Sequence, residues 1–216
     1  MARRAKVEAE RTRARILASA LSLFARNGYE TTTFNDIAAR VHMTKGAVYW
    51  HFESKEALLM ALVDEMFEKF ERQIADVMPK SELTFDTVAC TMVETARRLV
   101  DDAKGRAFFM LMRTQVKWGA ESMTRVKEDL ITNNRFGPWH AFVQAVENDI
   151  KSGRARAGTD PVEIAGICVA LWDGLVQGRI DGFLRTDMCQ TIRHAFDAVW
   201  SSISNDLPRQ AIKSKQ

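Results

Sequence analysis

Apolar residues recur at three- and four-residue spacings along most of the chain, and this helical periodicity constrains the fold more than any other feature. In residues 8–26 it produces one apolar stripe, formed by Ile16, Leu17, Ala20, Leu21 and Phe24. Runs in which β-branched residues alternate with polar ones, as strands require, are nearly absent. The sequence therefore predicts an all-α protein.

Capping residues set the ends of the first four helices. Gly28 follows the first helix as a left-handed stop, and Thr33 and Thr44 each precede a short helix. Ser54 caps a long helix that we expect to end before Pro79.

Five further helices are predicted beyond Pro79, over residues 84–100, 104–119, 123–151, 161–185 and 188–206. Gly137 and Pro138 interrupt the third of these, because proline removes an amide donor from a helix. Asp160 and Pro161 provide a cap and a first-turn proline for the fourth.

Composition is that of a soluble globular protein, with 46% hydrophobic and 27% charged residues. No apolar run approaches the length of about 18 residues that spans a membrane, and the first residues lack the apolar core of a secretory signal. We therefore expect a cytoplasmic protein with no membrane partner. Cys90, Cys168 and Cys189 are far apart, and we expect them to be buried or half-buried apolar residues.

The sequence lacks the motifs of the common enzyme classes. There is no glycine-rich phosphate loop, no nucleophile elbow and no HExxH or similar metal-ligand spacing. The histidines occur singly, as His42, His51, His140 and His194. We expect no catalytic residue, no metal site and no cofactor, and turnover of a bound ligand would be the sign of the alternative, an enzyme.

Positive charge is concentrated at the N-terminus. Residues 1–55 carry ten Lys or Arg and five Asp or Glu, whereas residues 56–216 carry 21 and 23. Six cations lie in the first fifteen residues, namely Arg3, Arg4, Lys6, Arg11, Arg13 and Arg15. This pattern is typical of a surface that docks a polyanion, and a solvated basic arm without a partner is the alternative.

Residues 28–55 have the organisation of a helix-turn-helix, because two short helices follow a longer one and meet at a tight turn. The second short helix suits insertion into a DNA major groove, and Gly46 and Ala47 permit close approach. Predicted phosphate donors are Thr33, Thr44, Tyr49, His51 and Lys55. Lys45 and Trp50 are predicted to reach base edges or thymine methyl groups, although Trp50, like Phe52, has a core role as its alternative.

The same stretch resembles the TetR family of bacterial regulators. The resemblance covers about residues 10–60 and is carried by Gly28-Tyr29, Thr32-Thr33, Asp36-Ile37-Ala38, Thr44 through Phe52, and Ser54-Lys55-Glu56. The opening residues look most like the AcrR-type branch. One departure is His42, which occupies a turn position where the family usually has glycine; it is expected to adopt a positive φ at a cost of about 1 kcal/mol, with titration or phosphate contact as the alternative role.

The resemblance implies a helical ligand-binding domain after the first long helix. Predicted wall residues are Phe67, Met92, Phe109, Met112, Trp139, Phe142, Trp172, Asp173 and Gln177. Core packing is the alternative for each apolar residue. If Asp173 is buried, it would stabilise a cationic ligand or pair with an arginine such as Arg113.

The last two helices carry apolar residues on more than one side, which favours a two-fold dimer. Predicted interface residues are Ile167, Leu171, Leu175, Phe196, Val199, Trp200 and Ile203. Such a dimer would hold two recognition helices about 34 Å apart, one DNA turn.

The sequence therefore predicts three parts: a helix-turn-helix domain over residues 1–53, a ligand-binding and dimerisation domain over 54–207, and a flexible tail over 208–216. We expect a homodimeric repressor that binds a palindromic double-stranded DNA operator and releases it when a small hydrophobic effector binds, controlling an efflux or catabolic gene. An activator, or a DNA-bound cell-division factor of the same fold, is the alternative.

Overall fold

The computed structural model describes residues 2–75, 83–132 and 138–205. Its helices are α1 (Ala2–Asn27), α2 (Phe34–Arg40), α3 (Lys45–His51), α4 (Lys55–Ala75), α5 (Phe85–Asp101), α6 (Ala103–Met110), α7 (Thr124–Thr132), α8 (Trp139–Lys151), α9 (Pro161–Ile180) and α10 (Met188–Ile203). A π-helical turn, Leu111–Gln115, follows α6, and a 3-10 turn, Glu121–Met123, precedes α7. The one strand-like pairing in the described ranges is an isolated bridge between Ala155 and Ser204. The predicted all-α class is confirmed.

Three helices end earlier than predicted. The helix expected over 104–119 becomes π-helical at Leu111 and ends at Gln115, and the Trp118 indole donates to the Met112 carbonyl that the turn leaves available. The helix that begins at Pro161 ends at Ile180, because Gly182 adopts a φ of 78° and reverses the chain. The helix that begins at Met188 ends at Ile203 and not near residue 206, because Ser204 adopts an extended backbone conformation. The predicted ends near Pro79 and at Gly137 lie outside the described residues.

The chain forms two compact units, which are described separately. Unit 1 consists of Met1–Glu71 and Asp101–Arg135, and unit 2 of Arg72–Val100 and Phe136–Gln216. Unit 1 therefore extends beyond the predicted domain boundary at residue 53. The functional division into 1–53 and 54–207 stays a prediction, and the predicted tail, 208–216, lies outside the described residues.

Unit 1 is built around the apolar stripe of α1. All five predicted stripe residues are buried, and α6 and the π-helical turn pack against α1. Leu111 and Leu130, from the segment that returns to this unit, lie in the same core as the residues of α1 to α4. The three N-terminal helices thus share their core with a later part of the chain.

Unit 2 has an aromatic core. The rings of Phe85 and Phe142 lie 5.7 Å apart, and Phe196 lies 5.4 Å from Phe142. Trp200 stacks on Phe85 at 5.2 Å. These contacts join α5, α8 and α10.

A buried carboxylate fixes the edge of this core. Asp149, which is 1% exposed, accepts hydrogen bonds from the backbone amide of Phe85 at 2.9 Å and from Arg154 Nε at 3.0 Å. Its backbone carbonyl accepts from the amides of Arg154 and Ala155. One residue therefore ties the start of α5 to the end of α8.

The cysteines follow the expectation in part. Cys168 is buried, and burial raises its thiol pKa to about 12, while Cys189 is half-buried. Cys90 is exposed on α5, so the expectation was wrong for it. No helix among the described residues is long and apolar enough to cross a membrane.

Candidate nucleic-acid interface

The first short helix, α2, is fixed by a reciprocal cap. Thr33 Oγ1 lies 2.7 Å from Asp36 Oδ2, and the Thr33 amide donates to the same carboxylate at 2.8 Å. The Asp36 amide in turn donates to Thr33 Oγ1. Hydrogen bonds from the Thr33 side chain, and then from its backbone, hold the Asp36 pKa below its ordinary value. Thr33, predicted as a phosphate donor, therefore uses its hydroxyl proton within the cap.

The turn between α2 and α3 contains the predicted positive φ. His42 has a φ of 57° and is exposed, and the Met43 amide donates back to the Ala38 carbonyl at 2.9 Å. Arg15 Nη2 donates to the Val41 carbonyl at 3.1 Å, which attaches this turn to α1. The predicted turn geometry is confirmed.

The second short helix, α3, begins with its predicted cap. Thr44 Oγ1 accepts from the Ala47 amide at 3.2 Å, which leaves the hydroxyl proton available to an outside acceptor. A β-carbon on Gly46 would lie 3.9 Å from Thr44 Oγ1, an ordinary contact. The fold itself therefore does not require glycine at position 46, and the close approach of DNA predicted for this residue stays a prediction.

Aromatic contacts orient the exposed face of α3. Tyr49 is 48% exposed, and its ring meets the buried Phe34 edge-on at 4.8 Å. Lys45 Nζ lies 5.7 Å from the Tyr49 ring centroid. Phe34 thus orients Tyr49, and Tyr49 provides a cation–π surface for Lys45.

Trp50 and Phe52, at the end of α3, differ in burial, which distinguishes the core role that was the alternative for each. Phe52 is buried, as its core alternative required, while Trp50 is 75% exposed and so is not a core residue. The Trp50 ring meets the His51 ring edge-on at 4.6 Å. A large apolar side chain that the fold leaves in solvent is available to another molecule.

His51 is held towards its neutral form. Partial burial lowers its pKa below 6.5, and the nearby Arg13 cation lowers it further. Arg13 itself lies over the Phe52 ring, with its guanidinium carbon 5.1 Å from the centroid. A polyanion at this position would act against both effects, because it favours the imidazolium form.

Lys55, predicted as a phosphate donor, is tied to the loop after α1. Its ammonium donates to the Tyr29 carbonyl at 3.0 Å and to the Glu30 carbonyl at 3.1 Å, and it lies 4.5 Å from the Tyr29 ring centroid. Burial is the main cause that raises the Tyr29 pKa well above its ordinary value. Two of the three ammonium protons of Lys55 are thus used inside unit 1.

Sequence reasoning did not place the N-terminal turns of α1 in the site. The structure has a shallow groove between these turns and α3, lined by Ala5, Glu8, Ala9, Thr12, Met43, Ala47, Trp50 and His51. The cluster of cations in the first fifteen residues was the available signal. It gave no indication that this segment runs beside α3.

The predicted ligand-binding residues of unit 2 are largely engaged in packing. Met92 and Phe142 are fully buried, and Phe142 lies in the aromatic core, which is its stated alternative. The Trp172 indole donates to the Met92 carbonyl at 2.8 Å. Trp139 packs against α9, since a β-carbon on Gly166 would lie 3.2 Å from its ring.

The other predicted ligand-binding residues are divided between the units. Phe109 is buried in unit 1, where Phe67 and Met112 are half-buried against the core. Asp173 and Gln177 lie half-buried on α9 in unit 2. A joint ligand-binding role for this set stays a prediction. Among the described residues, no group of three or more His, Cys, Asp and Glu is arranged to hold a metal ion.

The predicted dimer interface has an exposed and a buried part. Ile167 and Leu171 are 40% and 37% exposed on α9, and Leu175, Val199 and Trp200 are half-buried. Phe196 and Ile203 are instead buried within their own unit, because they pack against the protomer's core. Among the predicted interface residues, the exposed ones are therefore Ile167 and Leu171, both on α9.

Two short helices, a tight turn and an exposed second helix define a helix-turn-helix DNA-binding protein. Residues 16–62 match the family described as bacterial regulatory proteins, tetR family. Residues 16–62 therefore carry a DNA-binding domain of the TetR family, and the relatives that the chain resembles are named as transcriptional regulators.

Known proteins resemble the chain over different lengths. The HTH-type transcriptional regulator TtgR of Pseudomonas putida is 28% identical over 181 residues, which cover 82% of this chain and 84% of TtgR. The probable acrEF/envCD operon repressor of Escherichia coli is 48% identical over 58 residues, 27% of this chain and 26% of that protein. The structure of SmeT in complex with triclosan has a TM-score of 0.75 at 22% identity and covers 95% of this chain and 99% of SmeT. SmeT is the repressor of the Stenotrophomonas maltophilia multidrug efflux pump SmeDEF.

Proposed function

We propose that the chain is a repressor that binds a palindromic operator as a homodimer and releases it when a small hydrophobic molecule binds its helical C-terminal domain. The observation that carries this proposal is the exposed face of α3, where the side chains of Lys45, Tyr49 and Trp50 lie in solvent. Two of these residues, Tyr49 and Trp50, are aromatic. A fold gains nothing from exposing a tryptophan, so this face is best explained as a contact surface for DNA.

The side chains of this face divide into two roles. Lys45 and Trp50 would contact base edges and thymine methyl groups, and so select sequence. Thr44, Tyr49 and His51 would donate to phosphates, and Gly46 and Ala47 would let the backbone approach. Thr33 and Lys55 would support the interface mainly through the internal hydrogen bonds that fix α2 and the start of α4.

Dimerisation would use the exposed apolar face of α9. Ile167 and Leu171 are its most exposed predicted members, and Leu175 continues the same helix. A two-fold axis through this face would pair identical surfaces and demand two identical half-sites in the operator.

The effector would act by population shift. The likeness to SmeT, named as the repressor of a multidrug efflux pump, supports an apolar effector and an efflux or catabolic target gene. An effector that prefers the conformation unable to bind DNA weakens operator binding by about 5- to 150-fold, which corresponds to a coupling of about 1–3 kcal/mol.

The test is binding of the purified protein to the intergenic DNA upstream of its own gene, followed by fluorescence anisotropy at two salt concentrations with unlabelled competitor. We expect tight, salt-dependent binding that competitor DNA does not displace. Lys45→Ala should alter sequence preference, whereas Tyr49→Phe should weaken all duplexes alike. Lys151→Ala, on the other unit, is the matched control for loss of one exposed cation.

Two results would contradict the proposal. Weak binding that competitor DNA displaces completely would show that the intergenic DNA contains no specific operator for this protein. An unchanged sequence preference in Lys45→Ala would show that Lys45 does not contact base edges.

A further inference from the structure

We propose that DNA binding is coupled to the uptake of a proton by His51, so that acidification strengthens the binding of the duplex. This inference rests on the proposed function, because a duplex must lie against α3. It adds a regulatory property, sensitivity to pH, to the phosphate contact predicted for this residue.

The first observation is the position of His51 at the end of α3. It is the last residue of this helix, it is half-buried, and it lines the shallow groove to which Ala47 and Trp50 also belong. The Trp50 side chain, which is 75% exposed, meets the imidazole edge-on at 4.6 Å. A duplex that receives α3 in a major groove about 12 Å wide has phosphates on both sides of this helix, and its end lies close to one of them.

The second observation is that the imidazole has no polar partner within the described residues. It contacts the rings of Trp50 and Phe52, and it takes part in no hydrogen bond or ion pair there. No internal hydrogen bond therefore fixes its tautomer or its charge. Both ring nitrogens are available to an outside acceptor, and the imidazolium form offers two donors where the neutral ring offers one.

The third observation concerns the groups that act on the charge of this ring. Partial burial disfavours the imidazolium, and Arg13, which lies over the Phe52 ring, disfavours it further, so the His51 pKa lies below 6.5. Glu8 is the carboxylate among the groove residues, and it forms no ion pair with His51 in the described part of the chain. The groove residues from α3 and the turn before it are otherwise uncharged, namely Met43, Ala47 and Trp50. The unbound protein therefore holds His51 mainly in its neutral form near pH 7.

A phosphate at this position reverses the balance. Its negative charge favours the imidazolium, and a charge-assisted hydrogen bond is stronger than a neutral one. The bound protein therefore holds the proton more tightly than the free protein does. By linkage, the association constant rises as the pH falls, by at most about tenfold per pH unit for each protomer that takes up one proton.

The experiment measures binding to a duplex of arbitrary sequence by fluorescence anisotropy at pH 8.0, 7.0 and 6.0 and constant ionic strength. We expect the wild-type affinity to increase at each step towards lower pH. His51→Gln keeps an amide donor but cannot gain a charge, so its affinity should change less by about threefold or more per pH unit, which corresponds to about half a proton.

A variant with a permanent charge separates the proton from the side chain. His51→Arg is a cation at every pH used, so it should show the small pH dependence of His51→Gln but bind more tightly than wild type at pH 8.0. His194→Gln is the matched control, because it removes an exposed histidine from α10 of unit 2 and should keep the wild-type pH profile. Far-UV circular dichroism at each pH shows that the variants remain folded.

Calorimetry at pH 6.5 in two buffers of different ionisation enthalpy counts the protons directly. We expect wild type to take up more protons on binding than His51→Gln. Equal proton uptake in the two proteins, or a wild-type pH profile in His51→Gln, would overturn the inference. Failure of the unmodified protein to bind any duplex at any of these pH values would instead refute the proposed function, so the two failures are distinguishable.

Discussion

Replacing Asp149 by alanine tests how strongly one buried carboxylate holds unit 2 together. The side chain is 1% exposed and accepts from the Phe85 amide, from Arg154 Nε at 3.0 Å and from Arg154 Nη2. Alanine removes all three acceptor contacts at once. The Phe85 amide, at the first residue of α5, then has no partner in a buried position.

The cost follows from these contacts. A buried donor left without an acceptor costs about 1–3 kcal/mol, and removal of one partner of a buried ion pair costs about 3–5 kcal/mol. The Arg154 side chain is 40% exposed, so it can turn towards water when its partner is removed. We therefore place the expected loss near the lower end of the range for a buried ion pair. We expect unfolding to become easier by about 3 kcal/mol, with a fall in melting temperature of about 6–12 °C for a chain of this length.

Urea denaturation followed by circular dichroism measures this loss. Asp149→Asn keeps an oxygen acceptor for the Phe85 amide and should lose less stability. Asp86→Asn is the surface control, because its carboxylate lies 3.9 Å from Arg154 Nη1 and is largely exposed. A loss below about 1 kcal/mol in Asp149→Ala would refute the reasoning from buried contacts.

Three further predictions concern single residues. His42→Gly should stabilise the protein by up to about 1 kcal/mol in urea denaturation, because glycine adopts the φ of 57° without steric cost; an unchanged midpoint would contradict this. Gly166→Ala places a β-carbon 3.2 Å from the Trp139 ring, which costs about 1–3 kcal/mol, and gains about 1 kcal/mol of helix propensity inside α9. We expect a net destabilisation of up to about 2 kcal/mol in the same assay, and a stabilised variant would mean that the ring moves freely. The lowered pKa of His51 makes the unfolded state take up a proton first as the pH falls below 6.5, so stability declines there; His51→Gln should lose less melting temperature than wild type between pH 7.5 and 5.5, and equal losses would exclude this residue as a cause.

The elements that the sequence predicted well are those with local causes. Thr33 and Thr44 cap α2 and α3 through hydrogen bonds to residues three positions later, so sequence spacing alone contains the information. The Ser54 hydroxyl accepts from the Ala57 amide at 3.1 Å in the same way. His42 adopts a positive φ within the short turn, residues 41–43, that two capped helices leave between them.

The elements that were missed have distant causes. The π-helical turn Leu111–Gln115 follows an apolar spacing that is equally compatible with an α-helix, and Leu111 is buried in a core formed mainly by α1 to α4. Phe196 and Ile203 share a periodicity with the half-buried Val199 and Trp200 of α10, but contacts with α5 and α8 bury Phe196 inside its own unit. A one-dimensional pattern indicates an apolar face without identifying what covers it.

The predicted ligand-binding residues could not be distinguished from core residues by their sequence pattern. Aromatic residues and methionines fill cores and line pockets with equal ease, so their residue types do not separate the two roles. Phe142 lies between two other phenylalanine rings, and the Trp172 indole is committed to the Met92 carbonyl. The DNA-binding face was easier to predict, because its partner has a fixed shape and charge whereas an effector does not.

Lys55 connects these local details to the proposed mechanism. Its ammonium joins the first residue of α4 to the carbonyls of Tyr29 and Glu30, the loop that leads into α2. Hydrogen bonds to a charged donor are worth about 1.5–3 kcal/mol each, so even at the lower end the two together match the whole coupling of about 1–3 kcal/mol that an effector is expected to provide. Breaking both hydrogen bonds of Lys55 would therefore cost about as much free energy as the effector is expected to provide for weakening DNA binding. Under the proposed mechanism, we expect a displacement of the start of α4 that keeps both hydrogen bonds intact to act on the loop that leads into α2.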